Sequence, residues 1–318
     1  MKKLLIAALV LLQSGMVLAT GLIKNGDKFY DTRGEVINAH GAGFIKVGDY
    51  YYWIGENRKQ GVFVSCYRST DLVNWEFRAD LLTRDSDPDL RNANIERPKV
   101  VYNEKTGQYV MWMHYEYRHD YSQARAAVAY SDDIEKPFTY VKSFRPFGNM
   151  SRDCTVFKDT DGKAYFFSAA RENYDLAMYE LTDDYLDVKE HITTLWPGGH
   201  REAPTLVKHG KYYFLFTSGC TGWNPNQMKY AYAESIRGPW SELINIGDET
   251  TFRTQPTYII TVEGKESTSY LYVGDRWDPK QYFNSTYIFL PLRFKDATTP
   301  LFEWQDEVRI DAKKGIVN

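Results

Sequence analysis

Along this 318-residue chain, polar turn residues give way to short aromatic runs at nearly regular intervals. Five such runs read "GDYYYWIG" from Gly48, "GQYVMWMH" from Gly107, "GKAYFFSA" from Gly162, "GKYYFLFT" from Gly210 and "TSYLYVGD" from Thr268. The four glycines are separated by 59, 55 and 48 residues, and Thr268 follows 58 after the last. Aromatic and β-branched side chains bounded by turn residues are the pattern of β-strands. A shorter apolar strand precedes each run: "GAGFIKV", "PKVVYN", "CTVFKD", "PTLVKH" and "PTYIITV". A third strand follows, and in "VSCYRSTDLVNWEF", "AVAYSDDIEKPFTY" and "AYAESIRGPWSEL" a turn leads to a further aromatic. No helical periodicity of any length stands outside the first segment. A β-sandwich would not predict a fivefold recurrence, so the expected fold is all-β, a five-bladed β-propeller of four-stranded sheets filling the chain from residue 20 to 318 as one domain with no appended module.

In a propeller the innermost strands converge on the axis, and ligands bind at one mouth of the channel. The segments entering the five first strands read "NAHGAG", "NIERPK", "SRDCTV", "HREAPT" and "FRTQPT". Each supplies one polar group at a comparable place: His40, Glu96, Asp153, Glu202 and Gln255. Surface charges scattered at random would not fall once per repeat. Three carboxylates, a histidine and an amide are therefore expected to ring one pocket.

Composition narrows the ligand. Aromatic residues reach 16%, with 25 tyrosines, which suits sugar-binding surfaces as well as strands. The net charge of −3 and the lack of a basic run argue against nucleic acid. The first nineteen residues, "MKKLLIAALVLLQSGMVLA", pair a Lys-Lys start with an apolar stretch and a small residue at Ala19. This is the pattern of a secretory signal peptide cleaved near Ala19, so an exported protein, periplasmic or secreted, is expected, with no membrane insertion. Three cysteines, Cys66, Cys154 and Cys220, are too few for a disulfide scaffold and read as buried thiols, although one disulfide stays open. No CxxC, HExxH or glycine-rich phosphate loop occurs, and no cofactor or metal is expected. "DTDG" at Asp159–Gly162 reads as a turn before a strand.

Clustered carboxylates repel one another, so at least one should keep its proton near neutral pH. Such a protonated acid is what a glycosidic oxygen needs as it departs, and in inverting hydrolysis a second group roughly 6.5–9.5 Å away activates a water on the opposite face.

The motifs "NIERPKV", "SRDCTVF", "REAPTL" and "TSGCTGWNPNQ" in this fivefold frame resemble glycoside hydrolase family 43, whose members are inverting enzymes on five-bladed propellers. "NAHGAG", "WIGENR", "VMWMHYEY", "SQARAAVAYS", "TQPTYII", "YVGDRW" and "IFLPL" resemble its exo-β-1,3-galactanase branch, and the likeness runs from about Gly34 to the C-terminus. The resemblance implies an exo-acting hydrolase releasing galactose from β-1,3-galactan, as in the arabinogalactan backbone. It assigns Glu202 as general acid and Glu96 as the residue that orients the acid and tunes its pKa. Most of the family carries a base aspartate where this chain has Gly41. In the galactanase branch the glutamine matching Gln255 is held to position the water; an alternative is that Glu96 receives the proton.

The same resemblance assigns sugar contacts to Glu56, Tyr121, Asp153, Asn173 and Thr221, with Trp223 and Trp277 as stacking rings. His40 either lines the axis, bonds the substrate or holds a central ion. The expected partner is an oligo- or polysaccharide, and the protein is expected to be a monomer. Rival readings are an α-L-arabinofuranosidase or β-xylosidase, which usually keep the aspartate base, a glycan-binding propeller without catalysis, and a phosphorylase using Arg152, Arg201 and Arg253.

Overall fold

A computed structural model describes residues 21–118 and 120–318. The expected signal segment, residues 1–19, lies outside the described residues. Strands dominate, and helical structure among the described residues is confined to three short turns, Pro88–Leu90, Pro146–Gly148 and Tyr282–Asn284.

The chain forms an all-β propeller. Five four-stranded antiparallel sheets follow one another, each wound in simple sequence order. Their first strands are His40–Val47, Ala93–Asn103, Cys154–Lys158, Arg201–His209 and Gln255–Glu263. Each of these packs against the first strand of the sheet before and the sheet after, and the fifth returns to the first, closing a ring. The five aromatic runs form the second strands: Tyr50–Glu56, Gln108–Tyr117, Ala164–Ala170, Tyr212–Gly219 and Thr268–Arg276.

The number of sheets corrects the expectation of five. A sixth, three-stranded sheet joins Gly21–Lys24 to Glu307–Asp311 and Ile316–Val317. Its strands come from the two ends of the described chain and carry no aromatic run, so a search for that repeat passes over them. Ile23, Val308, Ile310 and Val317 pack into the core shared by the first and fifth sheets, beside Trp53 and Phe289.

Second strands are buried on both faces, which is why their sequences run unbroken in apolar residues rather than alternating with polar ones. Successive side chains point to opposite faces. Met111 and Met113 therefore enter the core between the first and second sheets, while Val110 and Trp112 enter the core between the second and third. The other seams repeat the device, with Phe167 and Leu215 filling one and Phe214 and Tyr272 the next.

Near their starts, four of the five first strands contain a β-bulge. Register shifts fall between His40 and Gly43, Glu96 and Lys99, Glu202 and Thr205, and Pro256 and Tyr258. A bulge adds one residue against the partner strand and re-aims the neighbouring side chains. In three of them the residue after the ring position is left-handed: Gly41 at φ 54°, Arg97 at 51° and Ala203 at 49°. For arginine and alanine this conformation costs about 1–2 kcal/mol, strain of the kind that gathers where a site must be shaped.

Candidate active site

Sheet closure brings the five ring positions to one mouth of the propeller, and hydrogen bonds link most of them. Glu202 is 7% exposed. Its Oε1 accepts from Gln255 Nε2 at 3.0 Å and its Oε2 from Asn173 Nδ2 at 3.1 Å. Burial, and then the negative charge of Asp153, push its carboxyl up to about 7. It is thus the ring carboxyl that keeps a proton near neutral pH. Arg201, the adjacent cation, does not pair with it, because its guanidinium donates to the side chain and carbonyl of Thr217. Nor does either of the other two arginines flagged beside the ring pair with a ring carboxylate. Arg152 bonds Glu172 and the carbonyl of Tyr121, and no such pair involves Arg253 among the described residues.

The cation at the centre of the ring is Arg97. It donates from Nε to Asp153 Oδ2 at 2.9 Å, from Nη1 to the carbonyl of Pro256 at 3.2 Å, and from Nη2 to Gln255 Oε1. Asp153 Oδ2 also accepts the backbone N–H of Ala203, which seats it beside the acid. After burial, the charge of Asp153 is the largest influence that raises the Glu202 carboxyl.

Glu96 instead occupies its own network. Its Oε1 accepts from Arg58 at 2.9 Å, Asn94 at 2.8 Å and the Tyr121 hydroxyl at 2.6 Å. His114 Nδ1 lies 3.2 Å from its Oε2, while His114 Nε2 bonds Glu116 Oε1 at 2.8 Å. Burial opposes the charge on Glu96, but His114, Arg58 and Tyr121 hold its carboxyl well below the usual carboxylate range. Burial likewise opposes charge on His114, yet Glu116 and Glu96 keep it protonated to about 9. Three donors thus converge on Oε1, and His114 faces Oε2.

Gln255 is engaged at both ends. Its oxygen accepts from Arg97 and from Trp277 Nε1 at 2.9 Å, while its Nε2 donates to Glu202 and to Ser218 Oγ at 3.2 Å. Guanidinium and indole N–H groups only donate, so the Gln255 oxygen accepts from both.

Of the remaining residues, Tyr121 is 37% exposed and Asn173 bonds the acid directly. Thr221 lies in an exposed loop where its hydroxyl donates to the Asn224 carbonyl and accepts from Asn226. Trp223, 47% exposed, stands edge-on to Trp277 at 5.7 Å, and both border a cleft with Ser218, Arg253 and Gln255. Trp277 thus both lines the cleft and anchors Gln255. His40 does not face open space: it is buried, bonds Asp275 at 2.9 Å and stacks on Tyr287 at 4.4 Å.

Buried Lys99 donates to the Gly41 carbonyl at 2.6 Å, its ammonium pulled down to about 7 by burial and by Arg97. Glu96, His114 and Asp153 approach one another closely enough for a metal, but Arg58 and Arg97 already neutralise the two carboxylates. The three cysteines are free, Cys66 and Cys154 buried and Cys220 exposed beside Asn173, which corrects the expectation of a third buried thiol.

Arg58, Arg97, Lys99, His114 and Glu116 were not flagged in the sequence. His114 had a usable signal, since it stands opposite Glu96 in register on the aromatic strand. Arg97 had one too, immediately following a ring position.

A propeller whose mouth gathers a proton-retaining glutamate, a second carboxylate that tunes it and a tryptophan-lined cleft has the layout of a carbohydrate-active enzyme. The chain belongs to the Glycosyl hydrolases family 43, whose profile matches residues 40–268. Among solved structures it is similar to an exo-β-1,3-galactanase from Clostridium thermocellum, with TM-score 0.91 and 54% identity, covering 93% of this chain and 68% of that one. It is also similar to an exo-β-1,3-galactanase from Phanerochaete chrysosporium solved with β-1,3-galactotriose, with TM-score 0.87 and 34% identity over 93% of this chain and 70% of that one. A curated relative, a xylan 1,3-β-xylosidase of a Vibrio species, is 26% identical over 215 residues, which is 62% of this chain and 39% of that protein. The chain spans less than two fifths of the length of the curated relatives it matches.

Proposed function

We propose that this protein is an exo-acting, inverting glycoside hydrolase that releases galactose from β-1,3-galactan. The observation that carries the proposal is Glu202, a buried carboxyl that keeps its proton to about 7 and is tethered on both oxygens. Glu202 gives that proton to the glycosidic oxygen as the C1–O bond breaks, and Asp153, held by Arg97, keeps the acid protonated until then. Gln255 holds Glu202 in place. Tyr121 and Asn173 offer hydrogen bonds to sugar hydroxyls, and Trp223 and Trp277 offer ring faces and edges to the rest of the chain of sugars.

The substrate rests on the likeness to two exo-β-1,3-galactanases across more than nine tenths of this chain. The arabinogalactan backbone is the natural polymer of that linkage. We further infer export, with cleavage near Ala19 and one catalytic domain following; no helix among the described residues is long and apolar enough to cross a membrane.

The test is incubation with β-1,3-galactobiose, and in parallel with aryl arabinofuranosides and β-1,3-xylobiose. Galactose release from the first is expected. Turnover of either alternative without galactose release overturns the substrate assignment.

A further inference from the structure

We propose that the cleft beside Glu202 binds an acidic sugar, a residue whose carboxylate or sulfate meets Arg253 and Arg276. The proposal rests on the galactosidase reading above and deepens it, by naming a substituent that the galactan carries next to the bond that is cut.

The cleft is lined by Ser218, Trp223, Arg253, Gln255, Arg276 and Trp277 and has a volume of about 190 Å³. Pockets that enclose a drug-sized ligand run to roughly 300–1,000 Å³, so this one suits a single ring. Gln255 Nε2 bonds both Glu202 Oε1 at 3.0 Å and Ser218 Oγ at 3.2 Å, which places the cleft one side chain away from the acid. Trp223 and Trp277 give it aromatic walls.

Its charge sets it apart. Arg253 precedes the fifth inner strand and Arg276 ends the strand paired with it, Gln255 standing opposite Asp275, so the hairpin brings both guanidinium groups into one cleft. The other arginines around this mouth are spent: Arg58 on buried Glu56 and on Glu96, Arg97 on Asp153 and Gln255, Arg152 on Glu172, and Arg201 on Thr217. Among the described residues, no acceptor reaches the Arg253 side chain and no carboxylate pairs with Arg276. Arg276 donates to the Phe252 carbonyl at 2.7 Å and lies over the Trp304 ring at 5.2 Å, while its Nε is enclosed without a partner.

Asp275 borders the same cleft, but its oxygens go to His40, Thr257 and the Gly41 N–H. Burial, and then the charge of Arg253, lower Arg276 below the ordinary arginine value, and a bound anion relieves that repulsion. A guanidinium meets two oxygens of a carboxylate at once, and a sulfate offers oxygens to the same donors. A neutral galactose would leave both charges unanswered.

Isothermal titration calorimetry at fixed ionic strength compares methyl β-glucoside, methyl β-glucuronide and glucose 6-sulfate, which share one ring and differ in charge. The proteins are wild type, Arg253→Gln and Arg253→Glu, after thermal melts confirm folding. At least one acidic sugar is expected to bind wild type about tenfold or more tightly than the glucoside, and the one that does identifies carboxylate or sulfate as the group. Arg253→Gln is expected to erase the preference and Arg253→Glu to reverse it. Equal binding of all three sugars, or a preference that survives Arg253→Gln, overturns the proposal. Inorganic sulfate or phosphate bound as tightly as the acidic sugars makes this a place for an adventitious ion only, and overturns it too. Turnover ties the cleft to the substrate, using β-1,3-galactobiose that carries a glucuronosyl, a 6-sulfated glucosyl or a plain glucosyl side group. The ratio of kcat/KM for the preferred acidic compound to that for the neutral one is expected near ten in wild type and near one in Arg253→Gln; a wild-type ratio of one overturns the link to the galactan. A wild type that releases no galactose but keeps the calorimetric preference overturns the underlying function and not the cleft.

Discussion

At the scale of single residues, the site works through a division of proton affinities between neighbouring carboxyls. Glu202 is pushed up to about 7 by burial and by Asp153, whereas Glu96 is drawn well down by His114, Arg58 and Tyr121. An acid catalyst acts in its protonated form, so activity should fall as pH rises through about 7. In Asp153→Asn the like charge beside Glu202 is gone, its anion becomes easier to form, and the basic limb of kcat/KM should move to lower pH. A basic limb that stays put or moves upward would show that Asp153 does not tune the acid. Glu202→Gln should lower kcat by about 10²–10⁴-fold on unactivated β-1,3-galactobiose, measured against wild type at pH 6. The five ring residues were legible in the sequence because each precedes an apolar strand at the same point of a repeat. Of the groups that set their charge states, Arg97 follows a ring position directly and His114 stands on an aromatic run, whereas Arg58 and Glu116 act across strands and left no mark in the repeat.

At the scale of elements, the bulges at the strand starts decide where the ring side chains point. Ala203 sits at φ 49° in the bulge that presents Glu202. Ala203→Gly should relieve left-handed strain and stabilise the fold by about 0.5–1 kcal/mol in urea unfolding; destabilisation would mean that the alanine methyl contributes more than the strain costs. Gly41 offers the opposite case. A Cβ there would meet Glu56 Oε1 at 2.8 Å and Arg97 Cα at 3.1 Å, so Gly41→Ala should cost about 1–3 kcal/mol of stability. An alanine variant with native melting would contradict this packing. Neither bulge could be seen in the sequence: the apolar pattern marks a strand and its faces, but one inserted residue leaves that pattern intact on either side.

At the scale of the whole molecule, the propeller's seam between its first and fifth sheets is covered by strands from both ends of the described chain. Removing residues 307–318 deletes two of the three strands of the sixth sheet and exposes the core around Ile23, Trp53 and Phe289. With Val308, Ile310 and Val317 each contributing about 1.5–3 kcal/mol of burial, the truncated chain should melt many degrees lower or aggregate. A melting point unchanged from the full chain would show the seam to be self-sufficient. The propeller itself was legible because aromatic strands buried on both faces recur five times; the sixth sheet was not, because its short strands lie far apart in the chain and share no repeat with the rest. The account stands on one claim above the others, that this ring hydrolyses a β-1,3-galactosyl bond with inversion. Proton NMR of β-1,3-galactotriose, followed from the first seconds of reaction, tests it directly. The account predicts that α-galactose appears first and mutarotates to β while galactobiose accumulates. β-Galactose as the first product, or no galactose at all, would contradict it.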